Sequence, residues 1–381
     1  MNRVQLIATI LTTAFVLQTT SASAQERLKN YLPPGFHLGG VVHGDSEGFK
    51  SLQYRNVAQL EFNSVTSTVY LPWGGWKSFS TPPDTSYFAN VVDWATRHGL
   101  KVHGHVLVYP DANLKSKWWQ QQADHLVAPR MKTYIDKMAG VRRGKIWVWD
   151  VLNEIMANKG QAMDANGLRT DFKEYRAMGP EYVNKAFEWA KAADPNAKLI
   201  INDFDISSWN SKSTRLLNYA IKLKNSGVPI NGIGFQMHFV DVNSPAPNLA
   251  SIRKNFQRFA DAGFELYITE FDTCSLRTKN PHPGSPGVST PNDQQLERQK
   301  RFFKSVLKIA LEQPAVKSFL MWDYADDFSW LHKTDQQIHN VSPGTYTYPA
   351  PFWCGKHCPI KRKPAYFGML EALKTTPRIK H

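Results

Sequence analysis

Eight short runs of almost uninterrupted apolar residues recur along the chain, and segments with helical periodicity separate them. Such runs are typical of strands that are covered on both faces, which occur mainly in parallel sheets. Eight strands that alternate with helices predict an α/β protein whose sheet closes into a (β/α)₈ TIM barrel. The predicted strands are Phe36–Val42, Glu61–Tyr70, Lys101–Tyr109, Ile146–Leu152, Lys198–Asp203, Gly232–His238, Glu265–Thr269 and Lys317–Trp322.

A doubly wound open sheet is the alternative to a closed barrel. An open sheet of this kind normally carries a glycine-rich phosphate-binding turn after its first strand, and Phe36–Gly44 lacks G-x-G-x-x-G. The stretch Asn280–Asn292 is rich in Pro, Gly and Ser, and it reads as a loop after the seventh strand. We therefore predict one domain over residues 25–381. The helical patterns include Thr85–Arg97, Glu181–Ala192, Lys212–Asn225, Asn248–Asp261 and Asp293–Leu311.

The N-terminus has the three features of a secretory signal peptide, in the expected order. Arg3 supplies a positive charge, Val4–Leu17 is mostly apolar, and Ala22-Ser23-Ala24 forms an A-x-A cleavage site. The apolar run is too short to span a bilayer. We predict that residues 1–24 are removed and that the protein is secreted or periplasmic.

Composition narrows the classes of partner. Of the 381 residues, 42% are hydrophobic, which excludes disorder of the whole chain. The 46 Lys and Arg outnumber the 32 Asp and Glu, and the net charge of +14 favours anionic surfaces. These basic residues are scattered and form no recognisable nucleic-acid motif, so we expect neither a nucleic acid nor a membrane as partner. The aromatic share of 12% suits either core packing or stacking platforms for sugars.

The three cysteines are too few for a disulfide scaffold and lack the spacing of a metal site. In an oxidising compartment, Cys354 and Cys358 favour a short-loop disulfide. His357 lies between them, but these three ligands without a distant partner make a poor zinc site. Cys274 is expected to be buried and inert. We predict no metal site.

Several predicted strands end in polar residues, where barrel enzymes hold their catalytic groups. The fourth strand runs into Asn153 and Glu154, and the seventh runs into Glu270 and Asp272. Two carboxyl groups that face each other across a barrel suit glycoside hydrolysis, in which one protonates the leaving oxygen and the other attacks or activates water. A single Glu at a strand end is commonly just solvated, but two such polar clusters favour a catalytic pair. The other polar strand ends carry His103, His105, Asn202, Asp203, Gln236, His238 and Asp323.

Seven segments resemble, in order, the motifs of glycoside hydrolase family 10, the retaining endo-β-1,4-xylanases. Trp149–Glu154 resembles W-D-V-x-N-E, and Ile268–Asp272 resembles the nucleophile motif I-T-E-x-D. The matches extend from about Phe36 to Leu373, which is nearly all of the predicted mature chain. The other five are G-x-Q-x-H at Gly234–His238, N-D-Y at Asn202–Phe204, G-H-x-L-V at Gly104–Val108, W-G-x-x-D-x-x-S-W at Trp322 with Ser329-Trp330, and K-P-A-Y at Lys363–Tyr366.

The resemblance implies a role for each matching residue. Glu154 is expected to be the general acid/base, with a pKa raised by burial or by repulsion from Glu270, and Glu270 is expected to be the nucleophile. Asn153 is expected to bond the sugar 2-hydroxyl, and His238 and Asp272 are expected to orient Glu270. A buried structural His and a loop-capping Asp are the simpler interpretations of those two residues taken alone. The resemblance also implies that Asn202 supports the catalytic residues. The other substrate-binding residues that it implies are His105, Gln236, His238, Trp322, Trp330 and Tyr109.

Trp322 and Trp330 are expected to influence which sugar the enzyme accepts. In the family that the chain resembles, such rings crowd the C5 side of the sugar, which favours a pentosyl or 6-deoxyhexosyl group over glucosyl. Simple packing of the barrel is the alternative interpretation of both side chains.

The chain departs from the family pattern after the second strand. Family members read F-N-x-x-T-x-E-N-x-x-K-W there, and the E, N and K side chains hold glycone sugars. In this chain Thr68, Val69 and Pro72 take those three positions, and Tyr109 replaces the Trp expected after the third strand. The resemblance therefore leaves the glycone subsites open.

Three functions remain in contention. The first is a secreted retaining β-glycoside hydrolase that resembles endo-1,4-β-xylanase and works by double displacement with two Glu. The second is an exo-acting β-glycosidase with the same machinery, retargeted to a terminal pentosyl or 6-deoxyhexosyl sugar. The third is a non-catalytic carbohydrate-binding or inhibitor protein, against which the intact pair of Glu argues. We expect a carbohydrate substrate (xylan or a β-glycoside), no cofactor and a monomer.

Overall fold

The computed structural model describes residues 26–43, 47–69, 84–110, 116–239, 248–273, 277–278, 291–331, 346–353 and 359–377. The predicted signal peptide, Pro72, all three cysteines and most of the predicted loop at Asn280–Asn292 lie outside these residues.

Eight parallel strands form a closed barrel. Neighbouring strands pair in chain order, and the last pairs with both the first and the seventh, which closes the sheet. The (β/α)₈ barrel predicted from the apolar runs is confirmed. Its strands are β1 (His37–Val42), β2 (Ser64–Thr68), β3 (Lys101–Val108), β4 (Ile146–Asn153), β5 (Lys198–Asp203), β6 (Gly232–Phe235), β8 (Glu265–Thr273) and β10 (Val316–Met321).

Short strands lie beside the barrel. The strand β7 (His238–Phe239) pairs with the end of β8, and two antiparallel pairs lie elsewhere on the chain. These pairs join β9 (Arg277–Thr278) to β11 (Tyr346–Thr347) and β12 (Phe352–Trp353) to β13 (Lys361–Arg362).

Helices cover the outside of the barrel, and their ends carry local sequence signals. Asn210 and Ser213 form a capping box at the start of one helix, and Asn292 and Gln295 form another. In the described part of the chain, no helix is long and apolar enough to cross a membrane. The helices are α1 (Glu47–Lys50), α2 (Leu52–Glu61), α3 (Ser86–Arg97), α4 (Lys117–Gln120), α5 (Asp124–Gly140), α6 (Lys173–Met178), α7 (Glu181–Ala193), α8 (Ser211–Asn225), α9 (Leu249–Asp261), α10 (Asp293–Glu312) and α11 (Pro364–Thr375).

Two predicted strands were too long by three residues or more. The second was expected from Glu61, but Glu61 is the last residue of α2, where its buried carboxylate accepts a hydrogen bond from the Leu28 amide (3.0 Å). The sixth was expected to reach His238, but it ends at Phe235 because Met237 takes a left-handed backbone conformation (φ 60°) that turns the chain. The predicted seventh strand, in contrast, was too short, since β8 continues to Thr273.

Candidate active site

The two candidate carboxylates lie at the C-terminal ends of β4 and β8. Glu270 is part of β8 and is buried, with 4% of its surface exposed. Glu154 follows the last residue of β4 and has a left-handed backbone (φ 57°), which is unusual for a residue other than glycine. Backbone strain of this kind is typical of functional positions. In this chain it occurs at the first residue after β4, where the backbone leaves the sheet.

Three amide side chains connect the two carboxylates. Asn202 Nδ2, at the end of β5, donates to Glu270 Oε1 (2.6 Å) and to Asn153 Oδ1 (3.0 Å). Gln236 Nε2 donates to the same Asn153 oxygen (3.2 Å) and to Glu154 Oε1 (2.9 Å). Gly234 leaves the space that this network needs, because a Cβ there would lie 2.4 Å from Asn202 Oδ1.

Glu154 lies in an environment that favours its protonated form. Burial raises its pKa, and repulsion from Asp203 and Glu270 adds to this effect. Hydrogen bonds from Gln236 and Tyr109 lower the pKa but do not cancel the increase. Tyr109 donates its hydroxyl to Glu154 Oε2 at 2.7 Å. The raised pKa expected for the acid/base is therefore present, with burial as its main cause.

Glu270 lies beside a cationic histidine. His238 Nε2 is 3.2 Å from Glu270 Oε2, and His238 Nδ1 is 3.0 Å from Asp272 Oδ1. Burial alone would lower the pKa of His238, but Asp272 and Glu270 outweigh it and raise the pKa to about 10. The protonated imidazole that results places a positive charge beside Glu270. Asp272 is itself held by Trp330, whose indole N–H donates to Asp272 Oδ2 (2.8 Å).

A second histidine approaches Glu270 from β3. His105 Nδ1 lies 3.9 Å from Glu270 Oε1 and 2.7 Å from Asp150 Oδ2. Burial opposes protonation of His105, but Asp150 and Glu270 raise its pKa overall. Asp150 also lies 2.9 Å from His103 Nε2, so one buried carboxylate supports both histidines of the strand.

The two expected tryptophans flank these groups. The rings of Trp322 and His105 form an edge-to-face pair with centroids 5.1 Å apart, and the Trp330 ring centroid lies 5.0 Å from that of His238. Both indoles are partly exposed, and each contacts a histidine that approaches Glu270. The structure thus brings together the residues that sequence motifs singled out, namely Glu154, Glu270, His105, Tyr109, Asn153, Asn202, Gln236, His238, Asp272, Trp322 and Trp330.

Two residues beside these groups, His43 and Asp323, have no role predicted from the sequence. His43 follows β1 directly and contacts both Thr68 and Trp322. Asp323 follows Trp322, is buried, and occupies the glycine position of W-G-x-x-D-x-x-S-W with a left-handed backbone (φ 68°). The sequence contains a signal for each residue. His43 is a polar residue at the end of an apolar strand, and Asp323 is a charged residue at a position where the motif has glycine.

Within the described ranges, no group of three or more His, Cys, Asp or Glu side chains is arranged to hold a metal ion. A closed (β/α)₈ barrel that brings two carboxylates to the C-terminal ends of its strands has the arrangement that glycoside hydrolases use. The chain belongs to glycosyl hydrolase family 10, whose model matches residues 28–372.

Individual relatives agree with this assignment. The chain is 32% identical over 283 residues to endo-1,4-beta-xylanase B of Thermotoga neapolitana, covering 73% of this chain and 75% of the relative. It is 30% identical over 311 residues to beta-1,4-xylanase of Dictyoglomus thermophilum, covering 81% and 82%. Among solved structures, native xylanase 10B of Thermotoga maritima is similar with a TM-score of 0.75 at 28% identity, covering 92% of this chain and 98% of that one.

Proposed function

We propose that the protein is a retaining β-glycoside hydrolase that acts on β-1,4-xylan or on fragments of it. Glu154 is the general acid/base and Glu270 is the nucleophile. The observation that carries this proposal is the contrast between the two carboxyl environments. Burial raises the pKa of Glu154, whereas Glu270 accepts a hydrogen bond from Asn202 and lies beside the cationic His238. Double displacement requires one carboxyl group that can deliver a proton and a second that can attack the anomeric carbon.

In the first step, Glu270 attacks the anomeric carbon while the proton of Glu154 passes to the leaving oxygen. Asn153 is held by Asn202 and Gln236, and we propose that it bonds the sugar 2-hydroxyl, a contact that strengthens in the transition state. In the second step, the deprotonated Glu154 takes a proton from water, and that water releases the sugar from Glu270.

Substrate class rests on the relatives. Two related structures are complexes with xylo-oligosaccharides: xylanase 10B of Thermotoga petrophila with xylobiose and a mutant xylanase A with xylopentaose. These are 28% and 30% identical to this chain with TM-scores of 0.74, and the chain covers 97% and 99% of them. We also propose that residues 1–24 direct export, so that the enzyme meets its polysaccharide outside the cytoplasm.

A second candidate function has one structural observation in its favour. Two of the positions where the family holds glycone sugars carry Thr68, which is occupied by a contact with His43 at 3.1 Å, and Val69, which is buried and apolar. Neither supplies a charge. An exo-acting β-glycosidase that releases one terminal pentosyl or 6-deoxyhexosyl sugar needs no more than a single glycone subsite.

Two measurements test these functions. Stereochemistry of the first-formed product, followed by NMR, should show retention of the β-anomer, and inversion would reject double displacement. Product analysis on xylan and on aryl β-glycosides separates the two candidates: internal cleavage into oligomers supports the xylanase, and release of a single terminal sugar supports the exo-glycosidase.

A further inference from the structure

A buried ion pair adjoins the turn that carries Glu154. Asp203 is the last residue of β5 and Lys212 is the second residue of α8, and Lys212 Nζ lies 2.7 Å from Asp203 Oδ1. The exposed fraction is 5% for the Lys212 side chain and 0% for that of Asp203. Two charges withdrawn from water to this degree are costly unless they hold each other, and the catalytic scheme described above uses neither.

The Asp203 carboxylate reaches the chain just after Glu154. Its Oδ2 accepts a hydrogen bond from the Met156 amide (3.0 Å), two residues beyond Glu154. The amide of Glu154 itself donates to the carbonyl of Asn202 (2.8 Å), the residue before Asp203. The end of β5 thus holds both ends of the segment from Glu154 to Met156, and the left-handed backbone of Glu154 (φ 57°) lies within that segment.

Lys212 keeps the Asp203 carboxylate in this orientation. Its ammonium donates to Asp203 Oδ1 (2.7 Å) and to the Phe204 carbonyl (2.9 Å), and it lies 3.8 Å from the centroid of the Phe204 ring. Asp203 Oδ1 also accepts the Phe204 amide (2.9 Å). Burial raises the pKa of the Asp203 carboxyl overall, and the Lys212 ammonium limits that increase. These contacts hold Oδ1, so that Oδ2 is directed at the Met156 amide.

The charge of Asp203 acts on the candidate acid/base. Burial raises the pKa of Glu154 most, and repulsion by Asp203 raises it further. Within the described ranges, other ionisable groups that face Glu154 are Glu270 on β8, His105 on β3 and Tyr109 after β3. Those three are expected catalytic or substrate-binding residues. The charge of Asp203, in contrast, can be removed without changing a residue that is expected to contact the sugar.

We propose that Asp203 is a positioning residue for Glu154 and that Lys212 is the partner that orients it. The carboxylate fixes the turn on which Glu154 lies, and its negative charge favours the proton that Glu154 must deliver. This inference rests on the proposed glycosidase function and adds to it a pair whose burial keeps it from touching the sugar.

The experiment removes both charges, so that neither is left buried and unpaired. Replacement of a buried ion pair by neutral side chains is often tolerated, which makes Asp203→Asn/Lys212→Met the main variant. The pKa of Glu154 should fall because Asp203 no longer repels its charge. The basic limb of the kcat/KM profile should therefore move to lower pH by about one unit. Phenyl β-xyloside suits this measurement, since its poor leaving group needs protonation.

The single variant Asp203→Asn extends the test. Asn keeps an oxygen that can accept the Met156 amide, but it leaves the positive charge of Lys212 without its partner. The basic limb should therefore move to lower pH at least as far as in the double variant. A role in stability alone predicts weaker folding or a lower kcat in both variants, with the limb at the wild-type pH.

Asp194→Asn is the matched control. Asp194 is also buried and also accepts a backbone amide, that of Gly144 (3.0 Å), but it precedes β5 and so lies at the opposite end of this strand from Asp203. This variant should lose stability and keep the basic limb of the wild type.

Chemical denaturation shows which variants are folded. An unmoved basic limb in folded Asp203→Asn/Lys212→Met or Asp203→Asn, or an equal movement in Asp194→Asn, would overturn this inference and leave the proposed function intact. A wild-type protein that hydrolyses no β-glycoside and no xylan would overturn both.

Discussion

Tyr109 donates its phenolic hydrogen to Oε2 of Glu154 at 2.7 Å, while Gln236 donates to the other carboxylate oxygen at 2.9 Å. Tyr109, which is expected to bind substrate, thus also contacts the proposed acid/base directly. A phenol can also accept a hydrogen bond, which an indole cannot, so the replacement of Trp by Tyr lets this residue bond Glu154 in either protonation state.

We expect Tyr109→Phe to raise the pKa of Glu154 further. The hydroxyl stabilises the carboxylate, so its loss favours the protonated acid, and the basic limb of the kcat/KM profile should move to higher pH by about one unit. Tyr109→Trp offers an N–H donor and should leave the limb closer to that of the wild type. A basic limb at the same pH in all three proteins would show that this hydrogen bond does not set the pKa of Glu154.

Glu270→Ala should abolish turnover, with a loss on the order of 10⁶-fold, because no other group can form the covalent intermediate. A 2-fluoro glycoside with a good leaving group should label the wild type at Glu270 and should not label the variant. Peptide mapping by mass spectrometry is the measurement. Label on another residue of the wild type, or label retained by the variant, contradicts the assignment.

Glu154→Ala should affect substrates according to their leaving groups. Poor leaving groups need protonation as the bond breaks, so their hydrolysis should fall by about 10²- to 10⁴-fold, whereas activated aryl glycosides should suffer less in that step. Added azide should accelerate turnover of the activated substrates, since it replaces the base-assisted water. Equal losses in both classes without an azide effect would remove the acid/base role from Glu154.

The altered glycone positions predict weak use of remote sugars. Thr68 and Val69 supply no charge, so kcat/KM should change little from aryl β-xyloside to aryl β-xylobioside and xylotrioside. Steady-state kinetics on this series is the measurement. A rise of about a hundredfold at the first step, roughly 2.7 kcal/mol, would instead reveal a working second glycone subsite.

One buried ion pair beneath the site should be essential for stability. Lys212 Nζ lies 2.7 Å from Asp203 Oδ1, and both side chains are buried. Lys212→Met leaves that carboxylate unpaired and should lower the free energy of unfolding by about 3–5 kcal/mol at neutral pH. Burial already raises the pKa of Asp203, and without Lys212 it rises further, so protonation should restore part of the stability as the pH falls.

Lys132→Met is the matched control for this change. Lys132 forms an exposed pair with Asp136 one turn along α5, and its loss should cost less than about 1 kcal/mol. Chemical denaturation of both variants at two pH values is the measurement. Similar losses for the two variants, or a loss in Lys212→Met that grows as the pH falls, would contradict the predicted role of the buried pair.

Local sequence signals determined the architecture and the candidate catalytic pair. Strands such as Lys198–Asp203 are buried on both faces, so their apolar character does not depend on which neighbours they acquire, and the prediction matched the structure residue for residue. Glu154 and Glu270 became candidates because they follow or end apolar strands, and parallel strands must bring their C-terminal ends to one face of a barrel. Both inferences use only the period and order of the elements.

Tertiary structure decided what surrounds those carboxylates. Tyr109 is separated from Glu154 by 45 residues, and His43 and Asp323 lie towards opposite ends of the chain, so no local pattern could reveal either contact. The end of β6 was also misjudged, because a left-handed turn at Met237 depends on the packing around it. A pKa or a hydrogen bond depends on distances of a few ångströms between distant parts of the chain, and only the closed barrel sets those distances.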